Sequence, residues 1–461
     1  MDIMIKYSAI VATLFVSVGC AQLPGVAQTV GPVADAPVER TKMSTTPQYF
    51  FPENIDLVTD GGRGGKVIKV TSLDNEGPGT LREAIEAEGP RIIVFEVGGV
   101  IDLDRQSLVI RNSDVTIAGQ TAPSPGISVI RSGIVVAADD VIIQHIRVRP
   151  GDADYFEEKW DTDSITTSSV SGVIVDHCTL TWSTDENLSA SGPRFTGETP
   201  DEWREGASHD ILYSHNLIAE GLSNATHAKF EHSKGSLIHD NTSNILIYGN
   251  VYAHNYERSP LFKGGVHGAI VNNLIYNPGQ RAIHYNLQGL EWGDEEFQTG
   301  QMDVVGNVLR AGPSTDGAVP LVLMGGDGDL KLHMEDNIAV DHYGKELPKL
   351  GRYSMGEGEL HEVADMQQSI EGLDVIPARH VEGYVLASSG ARPWDRDKHD
   401  VRVLADVAEG RGKIIDSQNE IGGYPQQEPT FRAFDSSLWD MKTMKPVSEK
   451  ALDSGQKSKG T

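Results

Sequence analysis

The strongest constraint on this chain is a short pattern that recurs along its middle part. Alternating Val and Ile are followed by a polar corner of His, Asn or Gly and then by a second short apolar run. The copies recur about 23 to 38 residues apart, at 114–119, 141–148, 173–180, 211–218, 245–252, 269–276, 304–309 and 330–340. A unit of this size cannot bury its apolar face alone and has to stack on its neighbours. The pattern therefore predicts an all-β solenoid, a parallel β-helix, over residues 51–440.

The polar corners are predicted to be structural. The corner asparagines are Asn250, Asn273, Asn307 and Asn337. Because they occupy equivalent places in successive units, their side-chain amides are expected to hydrogen-bond along the axis of the solenoid. The irregular inserts would gather on one side and form the wall of a groove. The segment 381–435 is expected to pack along the outside of the solenoid and cap it.

The two ends of the chain differ from this middle part. Residues 1–27 contain a Lys and then an apolar run, which indicates an export signal that is too short to span a membrane. The signal ends either at a bacterial lipoprotein site, with Cys20 acylated, or by cleavage after Ala27, which would release a soluble product. Residues 28–50 are predicted to be a flexible tether, and 441–461 a polar tail. The protein is expected to be a monomer that is secreted or held at the cell surface or in the periplasm.

The charge of the chain limits its partners. A strongly acidic protein repels nucleic acid and anionic membranes, and the formal net charge here is −27. No tract rich in Lys and Arg offsets this charge locally, so nucleic acid is not expected as a partner. An acidic polymer remains compatible with the chain if bound cations and a few Lys or Arg side chains reverse the potential inside one cleft.

Four acidic side chains stand in two segments that are one repeat apart. They are Asp161, Asp163, Asp185 and Glu186. Residues one repeat apart in a stacked solenoid are separated by about 4.8 Å, so these carboxylates can converge. Such crowding needs a cation, and oxygen ligands without His or Cys suit Ca²⁺. The alternative is that they are solvated loop acids in a chain that carries 66 Asp and Glu.

Three cations fall on consecutive units of this acidic chain: Lys234, Arg258 and Lys263. Lys234 begins the motif Lys-Gly-Ser-Leu, and the other two begin and end the motif Arg-Ser-Pro-Leu-Phe-Lys. With these motifs the chain resembles the pectate lyases of polysaccharide lyase family 1, from about residue 60 to residue 286 and more diffusely beyond. The resemblance implies a right-handed, single-stranded parallel β-helix.

The resemblance also implies roles for the site residues. Arg258 would remove the C5 proton of a uronate, Lys263 would hold the substrate carboxylate, and Lys234 would bind substrate near the scissile bond. The four acidic side chains would bind Ca²⁺. Arg is common in the family at the position of Lys263. The ammonium of Lys cannot bind a carboxylate in the bidentate way that the guanidinium of Arg can.

The implied reaction is a Ca²⁺-dependent β-elimination on de-esterified polygalacturonate that gives 4,5-unsaturated oligogalacturonides. Free Arg is almost always protonated. The role of Arg258 as a base therefore requires clustered cations that depress its pKa, and activity should rise toward alkaline pH.

Three alternatives stay open at this stage. The substrate can be another uronic acid polymer. A pair of carboxylates among Asp161 to Glu186 could instead hydrolyse a glycosidic bond, although this would leave the three cations unexplained. A non-catalytic β-helix could bind polysaccharide, although it would have no reason to keep Arg258 with Pro260. Endo or exo action depends on whether inserts such as 189–208 and 289–301 block the groove.

Overall fold

The computed structural model describes residues 59–155, 159–229, 231–354, 356–368 and 372–452. The predicted export signal, the tether and Cys20 lie outside these residues. Within them, the strands form three stacked sheets. None of the described helices is long and apolar enough to cross a membrane.

The three sheets consist almost entirely of parallel strands. The strands of the first sheet are Lys66–Val70, Arg91–Phe95, Val115–Ala118, Val141–Gln144, Ser171–Asp176, His209–Ser214, Ser243–Tyr248, His267–Val271, Gly300–Val305, Leu330–Glu335 and Leu360–Glu362. Those of the second sheet are Leu108–Ile110, Ile134–Val136, Ile165–Ser168, Glu186–Ser191, Lys234–Ile238, Leu261–Lys263, Ile283–Leu287, Val322–Gly326 and Leu350–Arg352. Those of the third sheet are Val97–Asp102, Ile127–Ile130, Arg147–Arg149, Thr179–Thr181, Leu217–Ala219, Val251–Ala253, Leu274–Tyr276, Val308–Arg310, Ile338–Val340 and the antiparallel Thr430–Phe431.

One coil shows the order in which successive strands join the three sheets. Ser171–Asp176 of the first sheet is followed by Thr179–Thr181 of the third and by Glu186–Ser191 of the second. The chain then returns to the first sheet at His209–Ser214, which pairs with the strand where the coil began. Inward-facing Val, Ile and Leu side chains of all three sheets form one buried cluster. This is the parallel β-helix that the repeats predict.

The predicted asparagine ladder is present at the corner between the first and third sheets. Nδ2 of Asn250 donates to Oδ1 of Asn273 (2.9 Å). Asn273 donates in the same way to Asn307 (3.0 Å), and Asn307 to Asn337 (3.2 Å). Asn216 extends the ladder by donating to Asn250 (3.0 Å). All five side chains are buried, so these bonds satisfy amides that would otherwise be costly to bury.

Helices occur in the inserts and in the C-terminal part of the described chain. The α-helices are Leu81–Glu86, Pro200–Gly206, Gly289–Trp292, Ala378–Ser388 and Lys398–Glu409, and the 3₁₀ helices are Gly119–Thr121, Gln418–Ile421, Ser436–Leu438 and Glu449–Ala451. The last two α-helices cover the outer face of the third sheet, where Val381 and Val407 pack in one cluster with Val251 and Leu274. The segment after residue 381 therefore packs along the outside of the solenoid.

Two buried arginines attach the helix Lys398–Glu409 to the third sheet. Arg149 contacts Asp397 (Nη1 to Oδ2, 2.5 Å) and Asp400 (Nη2 to Oδ1, 2.7 Å). Arg147 contacts the second oxygen of Asp400 (Nε to Oδ2, 3.1 Å). The four side chains are almost completely excluded from solvent, and their charges balance.

The sequence predicts a polar tail from residue 441, but the folded part of the chain continues beyond that residue. Met444 and Ala451 are buried and pack with Trp439 against Ile92 and Val94 of the first sheet. These apolar residues are isolated among polar ones and show no period, so the sequence pattern did not indicate that they are buried. The folded domain extends at least to residue 452, and 453–461 lie outside the described residues.

Candidate active site

The predicted site residues lie along the second sheet, most of them near the beginnings of its strands, with Lys263 at the end of its strand. Glu186 is paired in register with Lys234, and Lys234 forms a bridge with Glu257 of the next coil. Asp163 stands just before the strand Ile165–Ser168 in the preceding coil. Successive coils therefore place acidic and basic side chains next to one another across the sheet.

Three of the four predicted metal ligands come together. Oxygens of Asp163, Asp185 and Glu186 lie within 4.8 Å of one another. The backbone N–H of Glu186 donates to Oδ1 of Asp163 (3.0 Å) and so fixes two of them. Asp161 is not part of this group: its side chain is 60% exposed, and its carboxylate lies 3.6 Å from Nε2 of His227.

The crowding of these carboxylates changes their protonation. Burial, and then the charge of Asp185, raise the pKa of Asp163 above its ordinary value. Burial also acts to raise the pKa of Asp185. The hydrogen bond from His232 and the nearby charges of His232, His227 and Arg258 outweigh this effect, so the pKa of Asp185 is lowered. An oxygen-rich group under such repulsion is one that a hard cation would stabilise.

Two histidines beside Asp185 were not predicted from the sequence. The rings of His227 and His232 are stacked, with their centroids 3.9 Å apart. Nε2 of His232 lies 2.6 Å from Oδ1 of Asp185, and Nε2 of His227 lies 3.7 Å from the same oxygen. The signal in the sequence was their place just before the strand Lys234–Ile238, one coil after Asp185.

Asp163, Asp185 and Glu186 together are called the acidic group. Arg258 lies next to it, and its guanidinium contacts the carboxylate of Glu186. Burial lowers the pKa of Arg258, while the charges of Asp185 and Asp163 act in the opposite direction. Clustered cations, the cause expected from the sequence, are not what lowers this pKa. The lowered pKa comes from burial.

Lys234 is held by Glu257, a residue that the sequence did not single out. Nζ of Lys234 lies 2.6 Å from Oε1 of Glu257, and Arg281 contacts the other oxygen. Burial, and then the charge of Arg281, lower the pKa of Lys234 to about 8, whereas the charges of Glu231 and Asp185 act in the opposite direction. The guanidinium of Arg281 lies over the ring of Tyr353, 4.4 Å from its centroid. Arg281 comes from the next coil, which only the register of the strands reveals.

Lys263 lies at the end of the strand Leu261–Lys263, and its side chain forms ion pairs with acidic residues of the protein. Its ammonium contacts Glu291 and lies 3.4 Å from Oδ2 of Asp240. Arg194 completes the group, at 2.7 Å from Glu291 and 3.1 Å from Asp240. Arg194 and Glu291 belong to the two inserts for which the sequence predicts control of the groove. These inserts therefore meet beside Lys263.

The chain is similar over most of its length to a curated protein of Aspergillus terreus, a probable pectate lyase C. The two are 30% identical over 374 residues, which cover 79% of this chain and 78% of that protein. This chain belongs to the pectate lyase family. A probable pectate lyase C of Emericella nidulans is 35% identical over 275 residues, which cover 59% of this chain and 55% of that protein. No protein-family model matches the chain.

A solved structure shares the fold of this pectate lyase family member. The crystal structure of Jun a 1, the major allergen from cedar pollen, superposes with a TM-score of 0.52 at 17% identity, over 72% of this chain and 90% of that one. The predictions of a right-handed parallel β-helix and of membership among the polysaccharide lyases are confirmed. The two curated relatives are fungal proteins. Acylation of Cys20, which lies outside the described residues, stays a prediction.

Proposed function

We propose that this member of the pectate lyase family cleaves de-esterified polygalacturonate by Ca²⁺-dependent β-elimination and releases 4,5-unsaturated oligogalacturonides outside the cell. The relatives reported above are named probable pectate lyases. The observation that carries the proposal is Arg258, a guanidinium with a lowered pKa that contacts Glu186 of the acidic group. Such an arrangement suits a base that works beside a cation.

Arg258 is proposed as the base. A general base has to exist in its unprotonated form at the working pH, and burial shifts Arg258 in that direction. It would accept the proton from C5 of the uronate next to the scissile bond. The electron pair of that C–H bond then forms the C4–C5 double bond, and the C4–O4 bond breaks. O4 leaves with the departing chain and takes up a proton from solvent, and Arg258 returns its proton to solvent. No water is consumed.

Lys234 and Lys263 are proposed to bind carboxylates of the substrate. Fixed positive charge beside a uronate stabilises the negative charge that develops when the C5 proton is lost. Glu257 holds the ammonium of Lys234 in place, at 2.6 Å. Lys263 carries its charge as a compact ammonium, so it would act as a point charge and not as a bidentate clamp.

The acidic group fits Ca²⁺. Asp163, Asp185 and Glu186 offer carboxylate oxygens within 4.8 Å of one another, and Ca²⁺ takes oxygen ligands. Asp161 remains a proposed ligand near the same group. Ca²⁺ would, when bound, supply positive charge against the uronate carboxylate and so favour loss of the C5 proton.

The test is an assay on polygalacturonate that follows the ultraviolet absorbance of the unsaturated uronide. We expect the absorbance to rise with Ca²⁺ present, to stop rising when a chelator is added, and to recover when excess Ca²⁺ is restored. New reducing ends without absorbance would indicate hydrolysis by the carboxylates. A signal on another uronan, but none on polygalacturonate, would change the substrate class. The sizes of the earliest products would distinguish endo from exo cleavage.

Replacing Glu291 by Gln is expected to lower KM on polygalacturonate about fivefold, which corresponds to an ion pair worth about 1 kcal/mol. A substrate carboxylate that binds Lys263 has to displace Glu291, whose side chain is 36% exposed and able to move away. Because the same competition would affect the ground state and the transition state, kcat should change little.

The matched control for this variant is Glu296→Gln. Glu296 is exposed in the same insert, so this change alters the net charge equally. Initial rates over a range of substrate concentrations measure both constants. An equal KM in Glu291→Gln and the wild type would show that Glu291 does not compete with substrate for Lys263.

A further inference from the structure

The acidic group touches two imidazoles that could be taken for ligands of a transition metal. Asp185, His227 and His232 each offer an atom within 4.8 Å of those of the other two. Two imidazoles and a carboxylate suit Zn²⁺ or Fe²⁺ better than Ca²⁺. The hydrogen bonds of the two imidazoles show whether each ring can bind a metal ion or instead keeps a proton on the nitrogen that faces the carboxylates.

The hydrogen bond at Nδ1 sets the tautomer of His227. The backbone N–H of Lys229 donates to Nδ1 of His227 (3.0 Å). In a neutral imidazole, an Nδ1 that accepts leaves the proton on Nε2. That Nε2–H lies 3.6 Å from Asp161 and 3.7 Å from Asp185, so the nitrogen has no lone pair to offer to a metal ion.

His232 is held in one orientation against Asp185. Its ring is buried and lies parallel to that of His227, with an interplanar angle of 4°. Its backbone N–H donates to the carbonyl oxygen of Ser223 (2.9 Å), which fixes the segment. Nε2 of His232 lies 2.6 Å from Oδ1 of Asp185. One donor on a carboxylate leaves several lone pairs for a cation.

We propose that His232 is a positioning residue for calcium: it donates from Nε2 to Asp185 and, stacked on His227, keeps that carboxylate beside Asp163 and Glu186. The proposal rests on the proposed calcium site. Asp185 is half-buried, with 31% of its side chain exposed, so without this donor its carboxylate is free to rotate toward solvent. Because Nε2 of each imidazole carries a proton, neither nitrogen offers a lone pair to a metal ion, and the site takes Ca²⁺ and not Zn²⁺.

The test measures calcium binding to the full-length protein by calorimetry, with no substrate present. His232→Leu is expected to weaken calcium binding about 10- to 100-fold, the usual effect of removing a partner that orients a metal ligand. His232→Gln keeps an N–H donor of similar reach and is expected to retain most of the affinity. In an Asp185→Asn background, His232→Leu is expected to have no further effect.

Equal calcium affinity in His232→Leu and the wild type would overturn this proposal and leave the calcium site intact. No calcium binding by the wild type would overturn both. Tight Zn²⁺ binding by the wild type that is lost in both His227→Gln and His232→Gln would show that the imidazoles are ligands. His232→Met provides a second apolar variant if thermal unfolding shows that His232→Leu does not fold.

Discussion

Replacing Arg258 by Ala is expected to lower kcat on polygalacturonate by about 10²- to 10⁴-fold, the contribution that a general base makes. Ala cannot accept the C5 proton. KM should change much less, because the proposed binding charges of Lys234 and Lys263 remain in place. Initial rates of ultraviolet absorbance measure both constants.

The controls for Arg258→Ala separate chemistry from folding. Arg258→Lys keeps a cation beside Glu186 and a group that can lose a proton, so it is expected to retain intermediate activity. Arg411→Ala removes an arginine whose side chain is 57% exposed and is expected to leave activity unchanged. Because Arg258→Ala leaves the buried carboxylate of Glu186 without this partner, thermal unfolding has to be measured in parallel. A folded Arg258→Ala protein with normal kcat would contradict the assignment of the base.

The fold was predictable because each coil repeats the same local signal. Alternating Val and Ile specify a strand, and the Asn that ends it specifies a corner. Asn250 and Asn273 could therefore be assigned to one ladder from their places in the repeat alone. The hydrogen bonds of that ladder confirm the prediction. Strand pairing in a solenoid joins each unit to the next, so knowledge of distant parts of the chain was not needed.

The site was predictable only where a motif is local. Arg258 and Lys234 stand in short motifs that the resemblance covers, and the structure brings both to the second sheet. His232 reaches Asp185 from the next coil, and Arg281 reaches Glu257 in the same way, so the separation of these residues in sequence did not show that they meet. The sequence led to the wrong cause for the lowered pKa of Arg258, clustered cations, for a similar reason. Burial depends on how several coils close around one side chain, and no single segment shows it.

Replacing Asp400 by Ala is expected to lower the free energy of unfolding by about 3–5 kcal/mol, as when one partner of a buried ion pair is removed. Arg147 and Arg149, both fully buried, would then share the single carboxylate of Asp397. The hydroxyl of Thr179, which donates to Asp400 (3.1 Å), would also lose its acceptor. Denaturant-induced unfolding at equilibrium measures the loss.

Two further variants test whether the unpaired charge is the cause. Arg149→Met added to Asp400→Ala restores the charge balance and is expected to recover part of the lost stability. Asp201→Ala removes a carboxylate that is 97% exposed and is expected to change stability by less than about 0.5 kcal/mol.

The helix that carries Asp400 covers the third sheet, whereas the candidate site lies on the second. Folded Asp400→Ala protein should therefore keep its kcat at a temperature below its unfolding transition. Unchanged stability would mean that the buried ions do not attach the helix, and a lowered kcat would mean that the two faces of the solenoid are coupled.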